Sequence, residues 1–366
     1  MFWLLKVFAI LVAIYALVQI IRARYRARPT QDETHFVSTG DGWRIALHRY
    51  RPRGEKPHAE PVLLHHGLTA NHRGYDLGVG AAEDPAPSIA HWLADRGYDV
   101  WVIDLRGRGE SERAGIWRDK SWKWTVDDYV NFDDPAAVDY ILSRSPHQKL
   151  HWIGHSMGGI LLFCHLGLFG SPKIASGITV GSGIDYLDTG SKYQPVAGIR
   201  GLVKNWGRIP AGFFSTLIAP LAGRGLGDFL EGFNYYPPNT APRAARTITA
   251  NCIQDTSARV FYQLASMFQP GGLTTFDGGV RYADLLVNVT TPVLLIAGDA
   301  DQQASPTTSE KTLGLLPAGP HKTAFFGSEY GHSTPYGHFD LLVGRRADEE
   351  VFPVILDWLG AHSAKK

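Results

Sequence analysis

Cysteine is almost absent. The 366-residue chain has two, Cys164 and Cys252, which excludes a disulfide scaffold and every cysteine-rich zinc module. Charge is sparse and balanced: 36 Lys and Arg against 35 Asp and Glu give a formal net charge of +1. Such a balance lacks the basic excess of a nucleic-acid binder and the block of acid of an acidic tail. No period of solenoid type runs through the 40 glycines and 22 prolines. No phosphate loop of the G-x-x-x-x-G-K-[ST] type occurs. Gly223-Arg-Gly-Leu-Gly227 follows no strand and misses the dinucleotide spacing. What is plentiful is apolar material. Hydrophobic residues make up 44%, enough to bury a core in one large α/β domain with an insertion, or in two domains.

The longest apolar run stands first. Phe2 to Ile21 is apolar except for Lys6 and Gln19, and Arg22, Arg24, Arg26 and Arg28 follow at once. About 20 helical residues at ~1.5 Å each span a hydrocarbon core of ~30 Å. A cleaved signal peptide needs small residues where these arginines stand, and an interfacial helix needs a polar face that this run lacks. Residues 1–28 therefore read as a membrane anchor with a basic flank. The arginines place the following domain on the cytoplasmic side by the positive-inside rule.

From Thr34 onward, strand-type and helix-type segments alternate. Residues 35–52 read as a hairpin turning at Gly40-Asp41-Gly42. The apolar run at 61–66 reads as a strand covered on both faces, and 98–104, 149–154, 174–183, 292–298 and 321–327 read as further strands. Helical spacing marks Ile89-Trp92-Leu93, Val138-Ile141-Leu142 after Pro135, and Val351-Val354-Ile355-Trp358-Leu359. Alternation of this kind predicts a mostly parallel, doubly wound sheet. Residues 184–290 break the rhythm. They are too long for a connection and too rich in large apolar side chains to stay unpacked, so they read as a cap subdomain. It would divide a core of 34–183 and 291–362.

Gly154-His155-Ser156-Met157-Gly158 fits G-x-S-x-G, with a strand before it and a helix pattern after it. A nucleophile at so tight a turn needs small neighbours, hence Gly154 and Gly158. The turn lifts the Ser156 hydroxyl clear of the sheet and sets it at a helix N-terminus, where a developing anion is favoured. Serine needs a base, and the partners in this arrangement come later, acid before histidine. Asp299 and Asp301 both follow the strand at 292–298. Asp301 is preferred because it lies in the loop beyond the strand end, while Asp299 reads as a turn-forming carboxylate. Asp185 is a third candidate. Two histidines follow the last strand, His332 and His338, and spacing alone does not choose between them. The Met157 amide and the Leu68 amide, beside Gly67, are candidate oxyanion donors. A metal reading of His65, His66 and His72 lacks a further ligand at suitable spacing. Asp104 reads as tying down its loop through Arg106 or Arg108. Asn288-Val-Thr290 is a formal sequon but precedes a buried strand.

HHGL (65–68), DLRGRGES (104–111), GHSMGG (154–159), AGDAD (297–301) and YGHFDLLVG (336–344) together resemble the α/β-hydrolase superfamily over about residues 34–362. The last motif, with the tail EEVFPVILDWL, looks like the lipase and polyhydroxyalkanoate-synthase-related branch. There the histidine preceded by glycine and followed by x-Asp is the catalytic one, so the resemblance selects His338. Those synthases carry cysteine where this chain has Ser156, which favours hydrolysis over polymer synthesis. The resemblance implies an α/β-hydrolase fold and a serine hydrolase acting on carboxylic esters, with Ser156, Asp301 and His338 as its triad; the apolar cap and the membrane anchor point to lipophilic esters. It implies no metal or organic cofactor. An acyltransferase on the same acyl-enzyme, or a non-catalytic binding protein on this fold, are the alternatives.

Overall fold

The computed structural model describes residues 2–53, 60–78, 80–81, 84–115, 119–170, 172–225 and 232–364. Leu226 and Gly227 of the glycine-rich run and part of the expected cap lie outside them.

The hairpin is present as β1 (Glu33–Ser38) and β2 (Arg44–Tyr50), paired antiparallel. The Gly42 amide donates to the Thr39 carbonyl at 2.9 Å, with Gly42 at φ +81°, a conformation that glycine adopts without a Cβ clash. Six more strands follow: β3 (Val62–His65), β4 (Val100–Asp104), β5 (Leu150–His155), β6 (Ile174–Val180), β7 (Val293–Gly298) and β8 (Lys322–Phe326). Their order across the sheet is β1-β2-β4-β3-β5-β6-β7-β8. β2 meets β4 antiparallel, and every pairing beyond that point is parallel.

Side chains alternate across the sheet with period two, and each face has its own core. Trp101 and Ile103 of β4, Trp152 of β5 and Leu295 of β7 enter one hydrophobic cluster. Val100, Val102, Ile153, Leu294 and Ile296 enter the other. Helices cover both faces, as a parallel sheet requires. Among them are α2 (Ile89–Ala94), α3 (Asp134–Ser143), α4 (Met157–Phe169), α6 (Pro306–Leu313) and α7 (Phe352–His362). The insertion between β6 and β7 adds no strand to this sheet among the described residues. It contributes short helices, among them α5 (Ala211–Ile218), and a two-stranded ladder pairing Arg208–Ile209 with Thr256–Ser257.

α1 (Phe2–Arg24) is a single helix of 23 residues, long and apolar enough to cross a membrane. It meets the body toward its C-terminal end, where Val18 and Ile21 are buried. Ile21 packs with Ala219 and Ala250, and Arg22 Nε donates to Thr216 Oγ1 of α5 at 3.2 Å.

Candidate active site

β5 ends at His155 and α4 begins at Met157, so one residue makes the reversal. Ser156 sits at φ +52°, ψ −120°, a strained position for a residue with a side chain. Its surroundings hold it there. The Ser156 amide donates to the Val180 carbonyl at 2.9 Å, and Ser182 Oγ donates to the Ser156 carbonyl at 2.5 Å. The flanking glycines are required by space. A Cβ on Gly154 would stand 2.3 Å from Gly158 backbone, and one on Gly158 would stand 2.0 Å from the His65 carbonyl oxygen.

The loops after β7 and β8 converge beside this turn. His338 Nδ1 and Asp301 Oδ2 lie 2.8 Å apart, both buried. The other Asp301 oxygen accepts the amides of Gln303 at 2.7 Å and Ala304 at 2.9 Å, which aims the carboxylate. Gly181 passes so close that a Cβ there would lie 2.9 Å from His338 Nδ1. Two groups hold the backbone of His338. His155 Nε2 donates to its carbonyl at 3.0 Å, and burial with the neighbouring His338 keeps the His155 pKa well below the ordinary imidazole value. Asp340 accepts the Gly337 amide at 2.8 Å and the Tyr236 amide at 3.0 Å, and burial pushes its carboxyl up to about 7.

On the opposite side Gly67 presses against the turn, and a Cβ on it would meet the Ser156 Cβ at 2.8 Å. His66 secures this loop. Its Nε2 accepts the Leu105 amide at 3.2 Å, so its proton sits on Nδ1 and goes to the Gly67 carbonyl at 2.9 Å. Burial first, then the charge of His65, pushes the His66 pKa down to about 3 and keeps the ring neutral. Carbonyl and amide of one peptide point opposite ways, so tying the Gly67 carbonyl fixes the Leu68 N–H. Neither the Leu68 nor the Met157 amide has a hydrogen-bond partner among the described residues.

Leu68, Ser156, Met157 and His338 line one cavity with a free volume of about 50 Å³. The remaining wall is almost entirely apolar. Tyr186, Tyr193, Ala197, Phe261, Leu264, Met267 and Phe268 come from the insertion, and Gln303 adds a polar side chain beside Ser156 and His338. So the structure brings Ser156, His338, Asp301, Leu68 and Met157 together.

It does not bring the other candidates there. His332 lies by Phe326 and accepts the Gly327 amide, while Asp299 accepts the Tyr336 and Glu329 amides. Asp185 pairs with Lys311 at 3.0 Å. Asp104 does fasten its loop, but not through the arginines named above. Its carboxylate bonds His48 Nε2 at 2.9 Å, His72 Nδ1 at 2.6 Å and the Glu110 amide at 2.9 Å. Arg106 instead bonds Asp133 and Asp41, and Arg108 reaches the Asp255 carbonyl. His65 is committed to Asp134 at 3.0 Å. Ligand atoms of His48, His72 and Glu110 do lie within 4.8 Å of one another, outside the cavity. The positioning roles of His66, His155 and Asp340 escaped the sequence reading, although each residue stands inside one of its motifs.

Residues 60–344 match the family model described as alpha/beta hydrolase fold, and residues 25–75 match a partial alpha/beta-hydrolase lipase region. Lipase 1 of Drosophila melanogaster is 34% identical over 131 residues, covering 35% of this chain and 28% of that protein. Lipase member M of Homo sapiens is 27% identical over 288 residues, covering 71% and 66%. The matches thus span less than two thirds of either relative. Among solved structures, the monoacylglycerol lipase of Paleococcus ferrophilus superposes with a TM-score of 0.58 at 17% identity, over 87% of this chain and 99% of that one. At that identity the likeness is one of fold. The matches lie on the lipase side of the resemblance; they do not show the polyhydroxyalkanoate-synthase-related branch.

Proposed function

This chain belongs to the α/β-hydrolase fold family, and on that premise we propose that it hydrolyses lipophilic carboxylic esters through an acyl-enzyme on Ser156. The observation that carries the reading is one apolar cavity holding a strained serine, a carboxylate-bonded histidine and two unengaged amides. Ser156 Oγ attacks the ester carbonyl, and His338 takes its proton through the ring nitrogen not bonded to Asp301. Asp301 holds that tautomer and stabilises the imidazolium. The Leu68 and Met157 amides receive the oxyanion. His338 then protonates the leaving alkoxide. Water, deprotonated by the same ring, releases the acid and restores Ser156.

The apolar wall favours an alkyl or acyl chain over a polar substrate, and the lipase relatives agree. The segment 184–290 serves as the cap. α1 anchors the enzyme in the membrane, and the arginine flank puts the catalytic body on the cytoplasmic side.

Fluorophosphonate labelling and p-nitrophenyl ester turnover across acyl lengths test the reading. Label and turnover are expected in the wild-type chain and absent in Ser156→Ala. Hydrolysis of acetate alone, lost on every longer acyl group, would refute the lipophilic assignment. Release of free acid rather than transfer to an added alcohol separates hydrolysis from acyl transfer.

A further inference from the structure

A second cavity, of about 270 Å³, opens where α1 meets the body, and it shares no lining residue with the cavity of Ser156. Arg22, Arg73, Arg113 and Arg208 line it, with Asp255 as the one acidic residue among the described ones. The ion pairing is incomplete. Arg208 Nε bonds Asp255 at 3.1 Å. Among the described residues Arg22 donates only to neutral oxygens, Thr216 Oγ1 at 3.2 Å and the Gly212 carbonyl at 3.4 Å. The Arg73 guanidinium has no hydrogen bond or ion pair with any described residue. Partial burial, with the like charges of Arg73 and Arg22 acting against the attraction of Asp104, lowers the Arg113 pKa from its ordinary value. Guanidiniums gathered this way around an open volume repel one another, and a multivalent oxyanion relieves that repulsion while accepting several charge-assisted hydrogen bonds.

The position indicates where the anion comes from. Arg22 is the first charged residue after the apolar length of α1 and lies in its last turn, at the depth where hydrocarbon gives way to headgroups. The helix that receives Arg22, α5, shows Phe214 and Ile218 to solvent, one turn apart on one face. Apolar side chains beside the base of an anchor are suited to dip into the interface.

We propose that this cavity is a phosphate-anion site, filled by the headgroup of an anionic phospholipid of the membrane that holds α1. The anion site rests on the guanidiniums alone; its lipid source rests also on the membrane reading of α1.

The test uses the full chain in neutral detergent, with native mass spectrometry as the readout. The probes are short-chain phosphatidic acid, short-chain phosphatidylcholine and inorganic phosphate. One phosphatidic acid per chain should be retained in preference to phosphatidylcholine. At roughly 1 kcal/mol per basic residue near an anionic surface, Arg73→Gln should weaken retention about fivefold, and Arg73→Gln with Arg113→Gln about 25-fold. Arg73→Lys should recover most of it. Turnover of a soluble ester by the same variants, unchanged, shows that they are folded and that a failure here is not a failure of the esterase reading. Displacement of the lipid by equimolar inorganic phosphate would support the anion site but reassign it to a soluble phosphate. Equal retention of the two phospholipids, or undiminished retention in the double variant, would overturn the proposal.

Discussion

At the scale of single residues, the proposed site rests on side chains that do not line its cavity. His66 positions the Leu68 amide by holding the Gly67 carbonyl. Loss of an oxyanion donor costs about 10²–10³ in kcat, so His66→Gln, which leaves the amide present but less well fixed, should lower kcat about tenfold to a hundredfold with KM little changed. Steady-state kinetics beside a melting curve checks this, and an unaltered kcat would detach His66 from the oxyanion site. The two aspartates after β7 should separate as sharply. Asp301→Asn should cost about 10⁴ in kcat by upsetting the imidazole tautomer. Asp299→Asn should leave kcat within about tenfold and lower the melting temperature, because Asp299 holds the Tyr336 and Glu329 amides. The opposite ordering would make Asp299 the orienting acid.

At the scale of elements, the proposed acyl site predicts that the insertion, which forms much of the cavity wall, sets chain length. A free volume of about 50 Å³ holds only about four water-sized groups, at 10–15 Å³ each. Phe261 and Met267 form part of its wall. Phe261→Ala should therefore shift preference toward longer acyl chains. At ~0.8 kcal/mol per newly buried methylene, kcat/KM should gain about fourfold for each carbon accommodated. A kcat/KM series over acyl length that moves in parallel with wild type would exclude Phe261 from the acyl site. β3 to β7 were readable in the sequence because strands buried on both faces are continuous apolar runs, and each falls within one to three residues of its run; two-residue strands such as Arg208–Ile209 leave no such trace. The glycines of the serine turn were readable because steric demand at such a turn leaves no other choice. Less was visible elsewhere. The helix expected after Asp134-Pro135 is preceded by helical turns from Val126, with a π turn at Tyr129–Asp133. A π turn has no hydrophobic period to betray it. The short helices of the insertion are likewise too brief to show periodicity. The partners of Asp104 come from residues 48, 72 and 110, and no local pattern encodes contacts between the hairpin and two later loops.

At the scale of the whole molecule, the loop that presents His338 is fastened by a carboxylate whose ionisation folding opposes. Burial raises the Asp340 pKa from its ordinary 3.8 to about 7, overcoming the Gly337 and Tyr236 amides that favour its charged form. Between those two values the folded chain holds a proton that the unfolded chain has released. Stability from this group is therefore complete below about pH 4, falls as pH rises, and is lost above about pH 7. The melting temperature of the wild-type chain should decline between about pH 5 and about pH 8 more steeply than that of Asp340→Asn, whose amide is neutral throughout. Identical slopes would mean that Asp340 is ionised in the folded protein at pH 5 despite its burial. The consequence extends beyond stability, because Asp340 holds the Gly337 amide immediately before His338. Ionising Asp340 places a second buried negative charge near Asp301, and by linkage its burial then favours opening of the segment that carries His338, the proposed base. Hydrogen exchange across residues 336–344 should therefore quicken with pH beyond the intrinsic base-catalysed increase, and Asp340→Asn should remove the excess.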